Sequence, residues 1–421
     1  IRLFGSSELA LRIPSIISSF LCLISWYLIA LKITDKKSAL ISLFSLSSMP
    51  LWIQYSRYAS PDIPFVLCIL LAILFFLQFL DSSQYTRRCL YILLSGFFIS
   101  SSFFLRSYMT FVPLIGLSPF IFYNLNKKEN FLKILYATGI LIGSIPTYLN
   151  LFFSFRKFGI NGITSLFDFV KKQAIGDFDL SNFLLVPFNF LYLTFPVGIL
   201  FVLFLVFTRP RKKLKYPLLI YFYPLISLLI LLSMSTTYPH YYLFLLPSLS
   251  ILFAIFLTSN SLKYTFSKTS IKYLLSLLII LITSIIIIFI VNYNDFIIEQ
   301  SNGNKMLIYL VSLFLILSYI RSIQLLFNID DLRKDLINFF YSIIIPQYIS
   351  LLLLFNFGIL GSPNLSAKLF LRDKLVSSII SSNTIYLFEV ESKIQTLLSF
   401  YLPSSQVVQK FDDISNYKYL I

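Results

Sequence analysis

Runs of apolar residues long enough, or nearly long enough, to cross a bilayer recur about twelve times along the chain. They cover 13–31, 38–54, 63–80, 89–105, 109–123, 131–153, 183–207, 216–234, 241–258, 271–292, 305–320 and 336–358. The pattern predicts an all-α polytopic membrane fold of about twelve transmembrane helices. The run 109–123 is short, which predicts a tilted helix or one flanked by snorkelling side chains. From Ser362 onward the character changes to ordinary polarity. Leu365–Ser382 reads as a helix begun by Ser362 and Pro363. TIYLFEV at 384–390 and LLSFYL at 397–402 alternate like strands. Two regions follow: a transmembrane domain over 1–360 and a small α/β tail over 361–421. The chain opens on Ile1 and ends on YKYLI, which predicts a fragment open at both ends.

Composition agrees with the pattern. Of 421 residues, 57% are hydrophobic and 12% charged, too apolar for a soluble chain of this length. The net charge of +16 raises the question of nucleic acid, but the basic residues sit in short loops between apolar runs. That placement is an orientation signal and argues for membrane lipids, not nucleic acid, as the partner. One alternate set of loops holds Lys32, Lys36 and Lys37; Arg87 and Arg88; Lys127 and Lys128; Arg209 to Lys215; Lys263, Lys268 and Lys272; and Arg321, Arg333 and Lys334. The other set is poorer, so the rich set is assigned to the cytoplasm of a bacterial-type cell membrane. Arg57, Asp62, Arg106, the long loop 154–182, Tyr238–His240 and the tail then share the external face. Cys22, Cys68 and Cys89 show no metal-like spacing and read as small buried residues. One histidine excludes a multi-histidine metal site, no glycine-rich phosphate loop is present, and a divalent cation stays open as cofactor.

The external polar residues have plain readings beside functional ones. Asp62 is well placed to cap the helix that follows it. Arg57, Arg106, Lys171 and Lys172 would suit anionic headgroups or, for the lysines, Asp177 and Asp179. They would equally suit a phosphate, whose oxygens the arginine fork matches. Arg12 lies four residues beyond Glu8 on one helical face. His240 reads as a hydrated interfacial residue or, less plainly, a catalyst. Tyr238 and Tyr241 fit an aromatic belt. The long external loop, with Gly159, Gly162 and Gly176, reads either as a connector or as a lid.

Several segments, in order, resemble the lipid-carrier-dependent glycosyltransferases, the family of the protein O-mannosyltransferases and the lipid A aminoarabinose transferase. IRLFGSSELALRIPS is similar to the entry of that family's second helix, with Phe4, Gly5, Ser6, Ser7, Arg12 and Pro14. YSRYASPDIPF resembles its third-to-fourth helix junction, where an Arg and an Asp recur. SFFLRSYMTFVPLIGLSPF resembles the next external turn, with Arg106 where Lys is commoner. FPVGILFVLF and TTYPHYYLFLLPSLSILFA resemble its late proline-containing helices, through Pro239, Tyr241 and Pro247. The final stretch resembles the external tail of some bacterial members.

The resemblance implies transfer of a sugar from a polyprenyl-phosphate donor to a lipid, glycan or protein acceptor on the external face. It implies a donor phosphate at Arg57, Arg106, Lys171 and Lys172, and a substrate cavity near Arg12, Tyr58, His240 and Tyr241. Asp62 is the candidate catalytic carboxylate, in an acceptor-orienting role. The family's first helix and first external loop, with its principal acidic residue and a phosphate-binding Lys, would precede Ile1. The basic residue expected before the late Pro-x-Tyr is replaced by Thr236 or Thr237. The alternative is a polytopic lipid or solute transporter or flippase, which would favour charges at the bilayer midplane and inverted repeats. Few charges stand mid-run here, and no internal repeat is visible.

Overall fold

The computed structural model describes residues 8–164, 187–207 without 188 and 192, 215–234, 238–258, 269–292, 305–328, 332–357, 386–388 and 406–408. Within these, the chain begins with α1 (Glu8–Ile33), α2 (Lys36–Ser48), α3 (Pro50–Tyr55), α4 (Asp62–Asp81), α5 (Tyr85–Arg106), α6 (Phe111–Leu125) and α7 (Asn130–Phe158). Later helices cover Val197–Phe207, Tyr223–Ser233, Leu246–Leu257, Thr269–Asn292, Lys305–Phe327 and Leu332–Asn356.

Seven helices among the described residues are long and apolar enough to cross a membrane, fewer than the twelve runs. The differences have local causes. The run 38–54 is split at Met49, whose extended backbone precedes Pro50, leaving α2 with 13 residues and α3 with 6. Pro50 fits a first helical turn and ends what comes before it. The runs 89–105 and 109–123 form one apolar stretch, Tyr85–Leu125. It is folded back on itself at Ser107, which has a φ of 44°. The apolar helix Leu218–Ser233 is shorter than a full span, and the side chains of the Thr269–Asn292 helix are described only in part. Part of the run 183–207 lies outside the described residues.

Side-chain contacts sort into two ends of the bundle. At one end, Ser15 Oγ donates to the Ser60 carbonyl at 3.0 Å, and the Arg57 guanidinium lies 5.8 Å from the Phe355 ring centre. At the other, Asp81 accepts from Lys32 at 2.8 Å and from Lys215 at 2.9 Å, and Ser38 pairs with Thr258 at 2.9 Å. Thus α1 runs away from the Ser15 end, α4 runs the same way, and α5 returns from Tyr85 to Arg106. The ends alternate as the loop charges predict, with Lys32 and Lys215 gathered at one of them.

The core between these ends is apolar, with a few satisfied polar groups. Trp26 Nε1 donates to Ser42 Oγ at 2.8 Å and to Ser250 Oγ at 3.1 Å, joining α1, α2 and the Leu246–Leu257 helix. Without water, such hydroxyls bond across helices or back to their own carbonyls. Among the described residues the most extensive helix–helix packing is α5 against α7. Gly139 and Gly143, one turn apart on α7, meet Gly96 and Ser100 on α5, and a Cβ on any of the three glycines would overlap a facing carbonyl. This small-residue seam lets the backbones approach where no hydrophobic force acts between helices in lipid. Gly143→Val should therefore separate α5 from α7 and lower stability by about 1–3 kcal/mol. Thermal unfolding in detergent reads this; Leu141→Val, at a position 64% exposed, should leave the unfolding temperature in place.

In the tail, β1 (Tyr386–Phe388) pairs in parallel with β2 (Gln406–Val408), Tyr386 opposite Gln406. The first coincides with the strand predicted at 384–390. The second was not predicted, and the predicted strand at 397–402 lies outside the described residues, as does the predicted helix at 365–382. A parallel pair requires a crossover, so the two strands cannot form the simple hairpin that adjacent runs would give. Two short strands do not amount to the expected α/β module.

Candidate functional site

The turn between α3 and α4 gathers most of the sequence-predicted residues. Tyr55 ends α3, residues 56–61 form a tight irregular turn, and Asp62 opens α4. Pro61 and Pro64 favour this start, since proline fits a first helical turn. The turn is held from below by Ser15 on α1 and by Cys22 Sγ, which lies 3.7 Å from the Ile63 carbonyl.

Asp62 is only 4% exposed, and its carboxylate forms a salt bridge with Arg106, the last residue of α5. The cap position of α4 falls to Pro61, and Asp62 is the first helical residue. The plain expectation of a helix cap therefore gives way to a cross-helix ion pair, because the guanidinium is a stronger partner than an amide N–H. Ser107, just beyond Arg106, adopts a positive φ that a residue with a Cβ rarely takes. This turn sends the chain back into α6 and leaves Arg106 at the junction, facing Asp62.

Arg57 is differently placed. Its Nη1 is buried and finds no hydrogen-bond partner among the described residues, and Ser60 Oγ shares that condition three residues later. Burial, and after it the charge of Arg12, push the Arg57 pKa below the usual arginine value. The group stays protonated at neutral pH, so its charge is desolvated and under-compensated. The Phe355 ring gives partial relief through a cation–π contact. Arg12 thus lies in the site, near Arg57; the side chain of Glu8, its suggested partner, is outside the described residues.

Aromatic rings wall the site. Tyr58 receives a hydrogen bond from Gln54 Nε2 at 3.0 Å and packs edge-on to Tyr55, with ring centres 5.4 Å apart. The Tyr55 hydroxyl lies 3.5 Å from His240 Nδ1. His240 stacks on Tyr238 with planes 4° apart and stands 4.5 Å, edge to face, from Tyr241. Tyr241 is 5% exposed and Tyr238 47%, so of the two only Tyr238 keeps the open position of a belt residue. Arg106 is within electrostatic reach of Tyr55, Tyr241 and His240, which closes the ring of residues.

Arg12, Arg57, Tyr58, Asp62, Arg106, His240 and Tyr241 are therefore brought together, from segments up to 229 positions apart in the numbering of the chain. Lys171 and Lys172 lie outside the described residues. Tyr55, Ser60 and Phe355 belong to the site without having been singled out. Tyr55 and Ser60 stand inside the YSRYASPDIPF segment, so a signal was present; nothing in the sequence points from Phe355 to Arg57. Among the described residues, no three His, Cys, Asp or Glu side chains gather as metal ligands.

The chain is similar to known proteins in sequence and in fold. A family model described as dolichyl-phosphate-mannose-protein mannosyltransferase matches residues 1–150. An uncharacterized protein of Aquifex aeolicus is 26% identical over 267 residues, 62% of this chain and 51% of that protein. The match thus spans about half the length of that relative. The crystal structure of ArnT from Cupriavidus metallidurans bound to undecaprenyl phosphate superposes with a TM-score of 0.71 at 14% identity, covering 99% of this chain and 74% of the other. The apo form of the same protein gives a TM-score of 0.67 at 15% identity, with the same coverage. At these identities the two structures establish a shared fold. The chain is thus similar in sequence to the mannosyltransferase family over its first 150 residues, and it shares the fold of the ArnT structures over nearly its whole length.

Proposed function

We propose that the protein moves a sugar from a polyprenyl-phosphate donor to a lipid, glycan or protein acceptor on the external face of a cell membrane. The observation that carries this reading is Arg57 Nη1, a buried cationic donor with no hydrogen-bond partner among the described residues, beside Arg12 and the Asp62–Arg106 pair. A desolvated guanidinium of this kind favours an anion, and a phosphate at headgroup depth supplies one.

Each residue then has a role. Arg57 binds a donor phosphate oxygen through Nη1, with the Ser60 hydroxyl as a second donor. Arg106, held by Asp62, presents its remaining N–H groups to the same phosphate. Asp62 is a positioning residue, since its charge is already committed to Arg106. Lys171 and Lys172 add charge from the long loop, and Tyr58, His240 and Tyr241 shape the acceptor side. The acceptor hydroxyl attacks the anomeric carbon from the face opposite the phosphate. The bond from that carbon to the phosphate oxygen breaks, and polyprenyl phosphate leaves with the electron pair. Positive charge that builds on the sugar is oxocarbenium-like, as in glycoside hydrolysis. The cationic cluster stabilises the leaving phosphate. The acceptor proton passes to a base, and on this reading that base is the acidic residue the resemblance implies for the family's first external loop. On this reading the tail after 361 lies on the external side as well.

Membranes carrying the full-length protein, supplied with radiolabelled polyprenyl-phosphate sugars, should transfer label to lipid, glycan or protein. No transfer from any donor tried would count against this function.

A further inference from the structure

We infer that the opposite end of the bundle carries a second anion site, selective for a phosphate group such as a phospholipid headgroup or a free phosphate. It is built where the α4–α5 and α6–α7 turns meet. The Arg88 guanidinium carbon lies 5.7 Å from the centre of the Phe79 ring, and Lys128 Nζ lies 5.9 Å from the same centre. Phe79 is fully buried, and both cations are half-buried. Arg88 Nε is buried and has no hydrogen-bond partner among the described residues.

The nearby carboxylates are occupied elsewhere. Asp81 Oδ2 accepts from Lys32 at 2.8 Å, and Asp81 Oδ1 accepts from Lys215 at 2.9 Å and from the Tyr216 hydroxyl at 3.2 Å. Glu129 faces the Tyr85 hydroxyl at 3.4 Å. Neither Arg88 nor Lys128 therefore has an ion pair among the described residues.

Two like charges sharing one ring repel each other, and a buried N–H without a partner is costly. Orientation alone explains basic residues in these turns, but it does not require one of them to bury an unpaired Nε. A phosphate relieves both conditions, because its oxygens accept from the arginine fork and its charge offsets that of the ammonium that shares the ring. Arg87 is exposed and Lys127 lies 3.8 Å from the Tyr123 ring centre, so the neighbouring cations are not part of the cluster.

The full-length protein in phosphatidylcholine micelles would be titrated separately with phosphatidylglycerol and with inorganic phosphate, following its unfolding temperature. At least one probe should raise that temperature. Arg88→Gln and Lys128→Gln should each weaken its apparent affinity roughly tenfold. Arg87→Gln and Lys127→Gln should change it little. A response to phosphatidylglycerol alone identifies a headgroup; a response to both identifies a free-anion site. If Arg88→Gln folds poorly, Arg88→Lys and Lys128→Gln carry the same comparison. No response to either probe, or equal losses in all four cytoplasmic-end variants, overturns the site.

Discussion

Asp62→Ala is expected to destabilise the folded protein by about 3–5 kcal/mol, because it strands the Arg106 charge at a largely desolvated helix junction. Asp62 is 4% exposed and Arg106 is its ion-pair partner, so water cannot readily take the place of the carboxylate. Asp62→Asn keeps an oxygen acceptor and should cost less, while still loosening the guanidinium. Transfer should fall sharply in both, and Asp62→Asn should still insert in the membrane. Double replacement by Asp62→Ala with Arg106→Met should recover much of the stability, since an apolar pair of similar volume can match a buried ion pair. It should not recover transfer. Thermal unfolding of the four proteins, beside their transfer rates, separates the two effects. Equal stability of Asp62→Ala and the parent would mean that the pair is solvated and positions nothing. Normal turnover by Asp62→Asn would remove Asp62 from the mechanism.

Arg57→Gln should reduce donor affinity by about 10- to 100-fold, the range of one hydrogen bond to a charged group. Its effect on stability should have the opposite character. The parent bears the cost of a buried Nη1 that has no hydrogen-bond partner among the described residues, so removing the charge should leave the unfolding temperature unchanged or raised. Loss of binding without loss of stability is the mark of a group held ready for a ligand. Lys212→Ala, a change in a loop assigned to the other face, serves as the control and should leave donor binding alone. Equal effects of Arg57→Gln and Lys212→Ala would point to membrane orientation in place of a phosphate site.

Much of this was legible in the sequence, for identifiable reasons. Charge asymmetry between alternate loops fixed which residues share an end, and Arg57, Asp62, Arg106 and His240 do meet there. Long apolar runs such as 63–80 read directly as α4 because periodicity and length agree. The run 38–54 did not, since its proline at 50 was outweighed by hydropathy. Pairing was harder still. Asp62 reads locally as a cap, and only the fold brings Arg106 to it from 44 positions away. Tyr241 looked like a belt tyrosine because composition cannot tell a ring facing lipid from one packed against His240. The α5–α7 seam was not read from the sequence, although Gly139 and Gly143 stand four apart.

The central claim is that Arg57 grips a lipid-borne phosphate. It is tested most directly by binding of polyprenyl phosphate to the full-length protein, compared with the corresponding polyprenyl alcohol. The account predicts that the phosphate stabilises the parent strongly, the alcohol weakly, and that Arg57→Gln erases the difference. Alcohol and phosphate binding alike in the parent, or an undiminished preference for phosphate in Arg57→Gln, would contradict it.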